Sequence, residues 1–275
     1  MKPIIDVEEL FEIYLLPGVK IIDVTNHAEA AQWHAKEHLE GAIFLDLNSE
    51  LSSAKADFSE GGRHPLPNIS SFSKTLGNHG IQPNDHLIVY DHYQGANAAA
   101  RFWWMMKSVG HKKVQVLNGG FSWAKKNHFP TFSGNEIPPV VADYPCSSWN
   151  LPQISISEIE NHLSDSILTI VDVRNKDRFE GKFEPIDLWA GHIPGAINFP
   201  FSENLDSEGL FLKPELLKEK YLDLLKNSEP DKTVFHCGSG VTACHSILAM
   251  VYAGLPFPRL YVGSWSEWSR KFPPQ

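Results

Sequence analysis

Short continuous apolar runs punctuate the chain: IIDV at 21–24, LIVY at 87–90, TIVDV at 169–173 and TVFH at 233–236. Between them lie longer stretches whose apolar residues recur at helical spacing. Apolar runs without polar alternation, separated by helical segments, suit parallel strands covered on both faces. The pattern therefore predicts an α/β protein, with central, mainly parallel sheets flanked by helices. LKPELLKEKYLDLL (212–225) places a proline where a helix can begin and leucines at helical spacing, which predicts a helix packed on a sheet.

The pattern occurs twice. VKIIDVTNHAEAAQWHAKEHLEGAIFLDLNSEL (19–51) is echoed by LTIVDVRNKDRFEGKFEPIDLWAGHIPGAINFPFSENL (168–205). DHLIVYDHYQGANAAARFWWMMKSVG (85–110) is echoed by DKTVFHCGSGVTACHSILAMVYAG (231–254), and VQVLNGGFSWAKKNHFP (114–130) by LYVGSWSEWSRKFPP (260–274). Three matching blocks in one order mean a duplicated domain. We place the first copy at 1–135, a linker rich in proline, glycine and serine at 136–152, and the second copy at 153–275. Cys146 falls in the linker and is read as incidental.

Composition narrows the function. With 42% hydrophobic residues in 275 the chain can build proper cores. Its net charge of −9, from 24 basic and 33 acidic residues, argues against nucleic acid and anionic membranes as partners. No apolar run has the length of a membrane span. MKPIIDVEELFEIY at the N-terminus carries acids where a signal peptide needs an apolar region. Three cysteines without a CxxC pair do not suggest zinc. A cytoplasmic protein with reduced thiols is expected. The aromatic run RFWWMM reads as helix packing, since no basic patch stands beside it for base stacking.

The chemistry concentrates in TVFHCGSGVTACHSILAMVYAGL (233–255). In an open α/β sheet, ligands bind beyond the carboxyl ends of strands, and Cys237 stands there, between a strand and a helix. Gly238 and Gly240 let the backbone turn so that N–H groups converge, which with the helix terminus makes an anion cradle. Such a cradle stabilises a thiolate or a persulfide. A small buried cysteine at a strand end is the bland alternative, and the glycines outweigh it. It fits Cys244, inside the helix, far better. In the first copy the same turn reads VYDHYQGANAAA, with Asp91 in the cysteine's place and a longer loop. An acid cannot be a sulfur nucleophile, so one working site per chain is expected. Asp91→Cys is not expected to create a second active site, because the longer loop should not reproduce the cradle around a thiolate.

CGSGVTA, GHIPGAIN, GRHPLP and RFWWMMKSVGHKKVQVLNGG, on a tandem chain, together resemble the two-domain rhodaneses, over nearly the whole length. The resemblance implies two tandem rhodanese-like domains with the active site in the cleft between them. It implies Cys237 as the nucleophile that carries a persulfide. Gly238, Ser239, Gly240, Val241 and Thr242 would supply backbone and hydroxyl contacts, and Arg178 in DRFEG would bind the substrate anion. Asp46 in FLDLN and His64 in GRHPLP would join Ser239 in a proton relay, and Arg63 is a further anion contact. Thiosulfate-preferring members commonly carry two bulky basic residues after the loop cysteine. Gly238 and Ser239 match instead the members that prefer 3-mercaptopyruvate. One departure stands out: EPIDLWAGHIPGA has Ile186 and Asp187 where those members often place a second arginine.

The activity implied is sulfur transfer from 3-mercaptopyruvate to a thiol, thioredoxin or cyanide, with no metal and no cofactor, by a monomer. Thiosulfate sulfurtransfer is the alternative. A phosphatase needs an arginine at the sixth position after the cysteine, where Ala243 stands. A non-catalytic persulfide-binding or regulatory module is disfavoured by the intact Cys237.

Overall fold

The computed structural model describes residues 1–163, 165, 167–226 and 228–272. Pro273 and Pro274, which end the second copy's last block, lie outside them. The chain forms two compact units. One comprises Met1–Ser53, Pro67–Asn150 and Glu208–Leu210; the other comprises Ala54–Leu66, Leu151–Ser207 and Phe211–Gln275.

The first unit holds a five-stranded sheet in the order Ile4–Ile5, Val114–Leu117, His86–Tyr90, Val19–Asp23, Ala42–Phe44. Every pairing in it is parallel. The second unit holds four parallel strands in the order Arg259–Leu260, Thr233–His236, Thr169–Asp172, Ile197–Asn198. Matched by the sequence repeat, these four follow the order of the first unit's last four, so the duplication is also one of topology. Ile22, Ile88, Val89, Val234 and Phe235 are fully buried, as strands covered on both faces require.

After each central strand comes a helix that is buried nearly all round, Ala99–Ser108 in the first unit and Ala243–Tyr252 in the second. Phe102, Trp103 and Trp104 are core residues of the first. The helix Pro214–Leu225 has its proline in the first turn and buries Leu217 and Tyr221, while Lys226 closes it in the left-handed region at φ 46°. Within 136–150, Val141 N donates to Gly77 O and Tyr144 N to Ser73 O, which ties the proline-rich stretch to the first unit.

In the second unit, residues 54–66 are fastened by Gly61 N donating to Glu267 Oε1 (2.8 Å) and Arg63 N donating to Ser266 Oγ (3.1 Å). Gly62 has φ +77°, and a Cβ there would meet Gly263 O at 2.3 Å. Only glycine permits so close an approach, and the approach brings Arg63 and His64 to the site.

No helix among the described residues is long and apolar enough to cross a membrane.

Candidate active site

Cys237 follows directly on the strand Thr233–His236, ahead of the helix that begins at Ala243. Its loop is braced from the C-terminal segment. Cys237 N donates to Ser264 Oγ (3.2 Å), Trp265 N to Cys237 O (3.0 Å) and Ser266 N to Gly238 O (2.8 Å). Ser264 itself stands in the left-handed region at φ 53°, a conformation that costs energy in a non-glycine residue and recurs at functional sites. Gly240 has φ +71°, and a Cβ on it would lie 2.4 Å from Val262 O. The N–H groups of Gly238, Ser239, Val241 and Thr242 donate to no acceptor among the described residues. A run of such N–H groups ahead of a helix N-terminus is an anion cradle. Cys237 is 3% exposed and opens, with Gly238 and Thr242, on a cavity of about 100 Å³ that Arg178, Asn175 and Phe201 also line.

His64 Nδ1 lies 2.8 Å from Ser239 Oγ, so a titratable ring contacts the cysteine loop. Above Gly238, Arg63 and Arg178 converge. A Cβ at position 238 would lie 2.9 Å from Arg63 Nη2 and 3.4 Å from Arg178 Nη2. Arg178 stands on the short helix Lys176–Phe179. Arg63 arrives from the 54–66 segment, and burial lowers its guanidinium from the ordinary range, opposed by the charges of Asp187 and Cys237.

Two carboxylates outside the expected site residues, Glu184 and Asp187, complete the cluster; the sequence marks Asp187 only as standing where an arginine is missing. Asp187 pairs with Arg63 through Nη1 and lies 3.2 Å from Arg178 Nη2. Glu184 accepts from Arg178 Nε (3.0 Å) and Nη2 (2.7 Å), and from Arg174 Nη1 (3.2 Å). Burial raises the Asp187 carboxyl above its ordinary value, against the pull of both arginines. It also acts on Glu184, but Arg178 and the backbone N–H groups of Asp187 and Ile186 outweigh it and hold that carboxyl below. Arg174 is structural: it binds Asp172 with Nε and Nη2, donates to Gly191 O and lies over the Trp265 ring. The only signal for the two acids was their place in EPID, between Arg178 and the glycine turn.

Asp46 belongs to the first unit, where its Oδ1 accepts from Ser49 N and Oγ, both at 2.8 Å. Cys244 lies in the helix core and directs its thiol at Gly240 O (3.4 Å). Cys146 is half-buried, and burial pushes its thiol up. No group of His, Cys, Asp and Glu among the described residues has the arrangement of a metal site.

The first unit's loop, though longer, also gathers backbone N–H groups. The Asp91 carboxylate accepts from the N–H groups of Tyr93, Gly95, Asn97 and Ala99 at 2.7–3.1 Å, wholly buried. The chain thus carries two cradles, one filled by its own aspartate and one that holds a cysteine.

A rhodanese-like domain model matches residues 6–127 and again 155–271. The chain belongs to the rhodanese family, in its two-domain form. It is 36% identical to the 3-mercaptopyruvate sulfurtransferase of Rattus norvegicus over 255 residues, 90% of this chain and 82% of that protein. It is 34% identical to the thiosulfate sulfurtransferase of Mus musculus over 273 residues, 94% of this chain and 88% of that protein. Among solved structures, the 3-mercaptopyruvate sulfurtransferase from Leishmania major superposes with a TM-score of 0.86 at 30% identity, covering 99% of this chain and 75% of that one.

Proposed function

We propose that this sulfurtransferase takes sulfur from 3-mercaptopyruvate onto Cys237 and passes it to a thiol acceptor, thioredoxin or a small thiol, with cyanide as an artificial one. The contrast between the two cradles carries the reading. One is closed by a carboxylate, and the other keeps N–H donors free around a sulfur nucleophile.

In the first half-reaction the Cys237 thiolate attacks the donor's thiol sulfur. An S–S bond forms, the C–S bond breaks, and its electron pair leaves on the enolate of pyruvate. The donor's thiol proton ends on the carbon that becomes the methyl group, so the products are a Cys237 persulfide anion and pyruvate. His64 and Ser239, 2.8 Å apart, are placed to carry that proton. In the second half-reaction an acceptor thiol takes the outer sulfur as its own persulfide and regenerates the Cys237 thiolate. The loop N–H groups stabilise the anion on sulfur at each stage.

The donor's carboxylate is assigned to Arg178. The second arginine missing from EPIDLWAGHIPGA has a substitute in Arg63, which reaches the same place from the 54–66 segment. Asp46, whose carboxylate engages Ser49, enters no step of this mechanism.

Thiosulfate is the second reading, and Arg63 favours it. Its guanidinium occupies the space that a side chain at 238 would enter, so the loop does not lack a cation. Comparing kcat/KM for the two donors, with cyanide as common acceptor, decides between them. We expect 3-mercaptopyruvate to win by about tenfold or more, roughly 1.4 kcal/mol in transition-state binding. Equal rates or a thiosulfate preference would overturn the donor assignment. Cys237→Ser is expected to abolish transfer from both donors while leaving the fold intact, and turnover by that variant would overturn the nucleophile.

A further inference from the structure

Arg63 and Arg178 lie over Gly238, but neither waits unoccupied. Two carboxylates face them, Glu184 and Asp187, and the third guanidinium nearby, Arg174, is committed to Asp172, Glu184 and Gly191. A donor anion arriving beside Cys237 therefore meets a clamp already neutralised by the protein's own acids.

The two acids are not equivalent. Glu184 is built in: besides Arg178 and Arg174 it accepts from the backbone N–H groups of Ile186 (3.1 Å) and Asp187 (3.0 Å), bonds no ligand can replace. Asp187 accepts from Arg63 and Arg178 alone among the described residues. Its side chain is 1% exposed, so the carboxylate is out of water with these two contacts as its partners. Everything that stabilises it there, a substrate carboxylate could take over.

Around it Phe183, Ile186, Leu188 and Trp189 are 63%, 59%, 59% and 45% exposed, so the chain flanking Asp187 is not packed into a core. The loop's ends are anchored, by Glu184 on one side and by Trp265 Nε1 donating to Trp189 O (2.8 Å) on the other.

We propose that Asp187 is a resident anion on the substrate clamp, which the donor must displace from Arg63 or Arg178, and that it thereby sets donor affinity and selectivity. The proposal rests on the sulfurtransferase reading above. Its chemical logic is charge exchange: a monoanionic keto acid replaces one carboxylate with another. A dianion such as thiosulfate is opposed more strongly by whatever part of Asp187 stays nearby. Burial already opposes the ionised form of Asp187, so this carboxylate is the less firmly held of the two. Asp187 acts on binding through the arginines and takes no part in the bond changes at sulfur.

The test is the variant Asp187→Asn, with Asp187→Ala beside it, read by pyruvate binding in calorimetry and by steady-state kinetics. Removing the charge should tighten pyruvate and lower KM for 3-mercaptopyruvate by about tenfold, the scale of one partly screened charge contact. We expect kcat to change by less than about threefold, and the KM for thiosulfate to fall further than that for 3-mercaptopyruvate. A purely structural role would instead raise KM or lower kcat. Unchanged or weaker anion binding by folded variants that still form persulfide would overturn the Asp187 proposal alone. Failure of the unsubstituted chain to form persulfide with either donor would instead overturn the sulfurtransferase reading. Should both variants fail to fold, a crystal structure of the unsubstituted protein with pyruvate decides: Asp187 should have left at least one arginine, and both contacts intact beside bound pyruvate would overturn the proposal.

Discussion

Gly238 and Gly240 are glycines for different reasons, and substitution separates them. Gly240 needs its left-handed φ of +71°, and a Cβ would strike the backbone oxygen of Val262 at 2.4 Å. Gly240→Ala should therefore cost about 1–3 kcal/mol of stability from conformation alone, read as a lower denaturation midpoint at unchanged slope. The distorted cradle should also slow persulfide formation. Gly238 has no positive φ, and what a Cβ would meet is the flexible end of Arg63. Gly238→Arg should fold with a loss of about 1 kcal/mol or less, yet crowd Arg63 and add a cation. The expected outcome is a kcat/KM ratio shifted toward thiosulfate. An unchanged ratio would mean that the loop side chain does not reach the donor.

Among the elements, the helix Ile156–Asn161 shows how much of this protein is written locally. Ser155 and Glu158 form a capping box, with Glu158 N donating to Ser155 Oγ and Ser155 N to Glu158 Oε2. Glu158 also takes Arg259 Nη2 at 2.7 Å, and these contacts lower its pKa from 4.5 to about 2. A depressed carboxyl contributes stability that is fully present above the unfolded-state value of about 4.5 and is lost as the pH falls toward 2. Because the side chain is half exposed, solvent screening keeps the effect small. Glu158→Gln should destabilise the protein by about 0.5–1 kcal/mol at neutral pH. The difference should narrow as the pH drops below 4.5, measured by denaturant titration across that range. A constant difference at every pH would mean that packing, not charge, is what Glu158 supplies. The S-x-x-E signal is legible because it acts over three positions. The same locality made the strand runs, the glycine turn and the helix at Pro214–Leu225 readable. Arg63 and Asp187 lie 124 positions apart, and Gly61 and its partner Glu267 lie 206 apart. No period or motif relates such pairs, so the occupied clamp became visible only in three dimensions.

At the scale of the molecule, duplication gave two sheets of matching order and two equivalent loops. One sets four N–H groups on Asp91, and the other has N–H groups beside Cys237 that meet no acceptor among the described residues. Only one of those residues carries sulfur. In the first unit the Asp91 carboxylate satisfies four N–H donors, so that loop has neither a thiol nor spare capacity for an anion. The other two cysteines lie outside either cradle. Burial raises the Cys146 thiol, which keeps its thiolate scarce, and Cys244 is closed in the helix core with its thiol on Gly240 O. The expected stoichiometry is therefore a single sulfane sulfur for the whole tandem chain. Intact mass after treatment with 3-mercaptopyruvate should rise by one sulfur atom, peptide mapping should find it on Cys237, and cyanide should discharge it completely. Cys237→Ser should gain none. Sulfur on Cys146 or Cys244, or more than one equivalent on the unsubstituted chain, would show that cradle geometry does not select the reactive thiol, and the argument from the paired loops would fall with it.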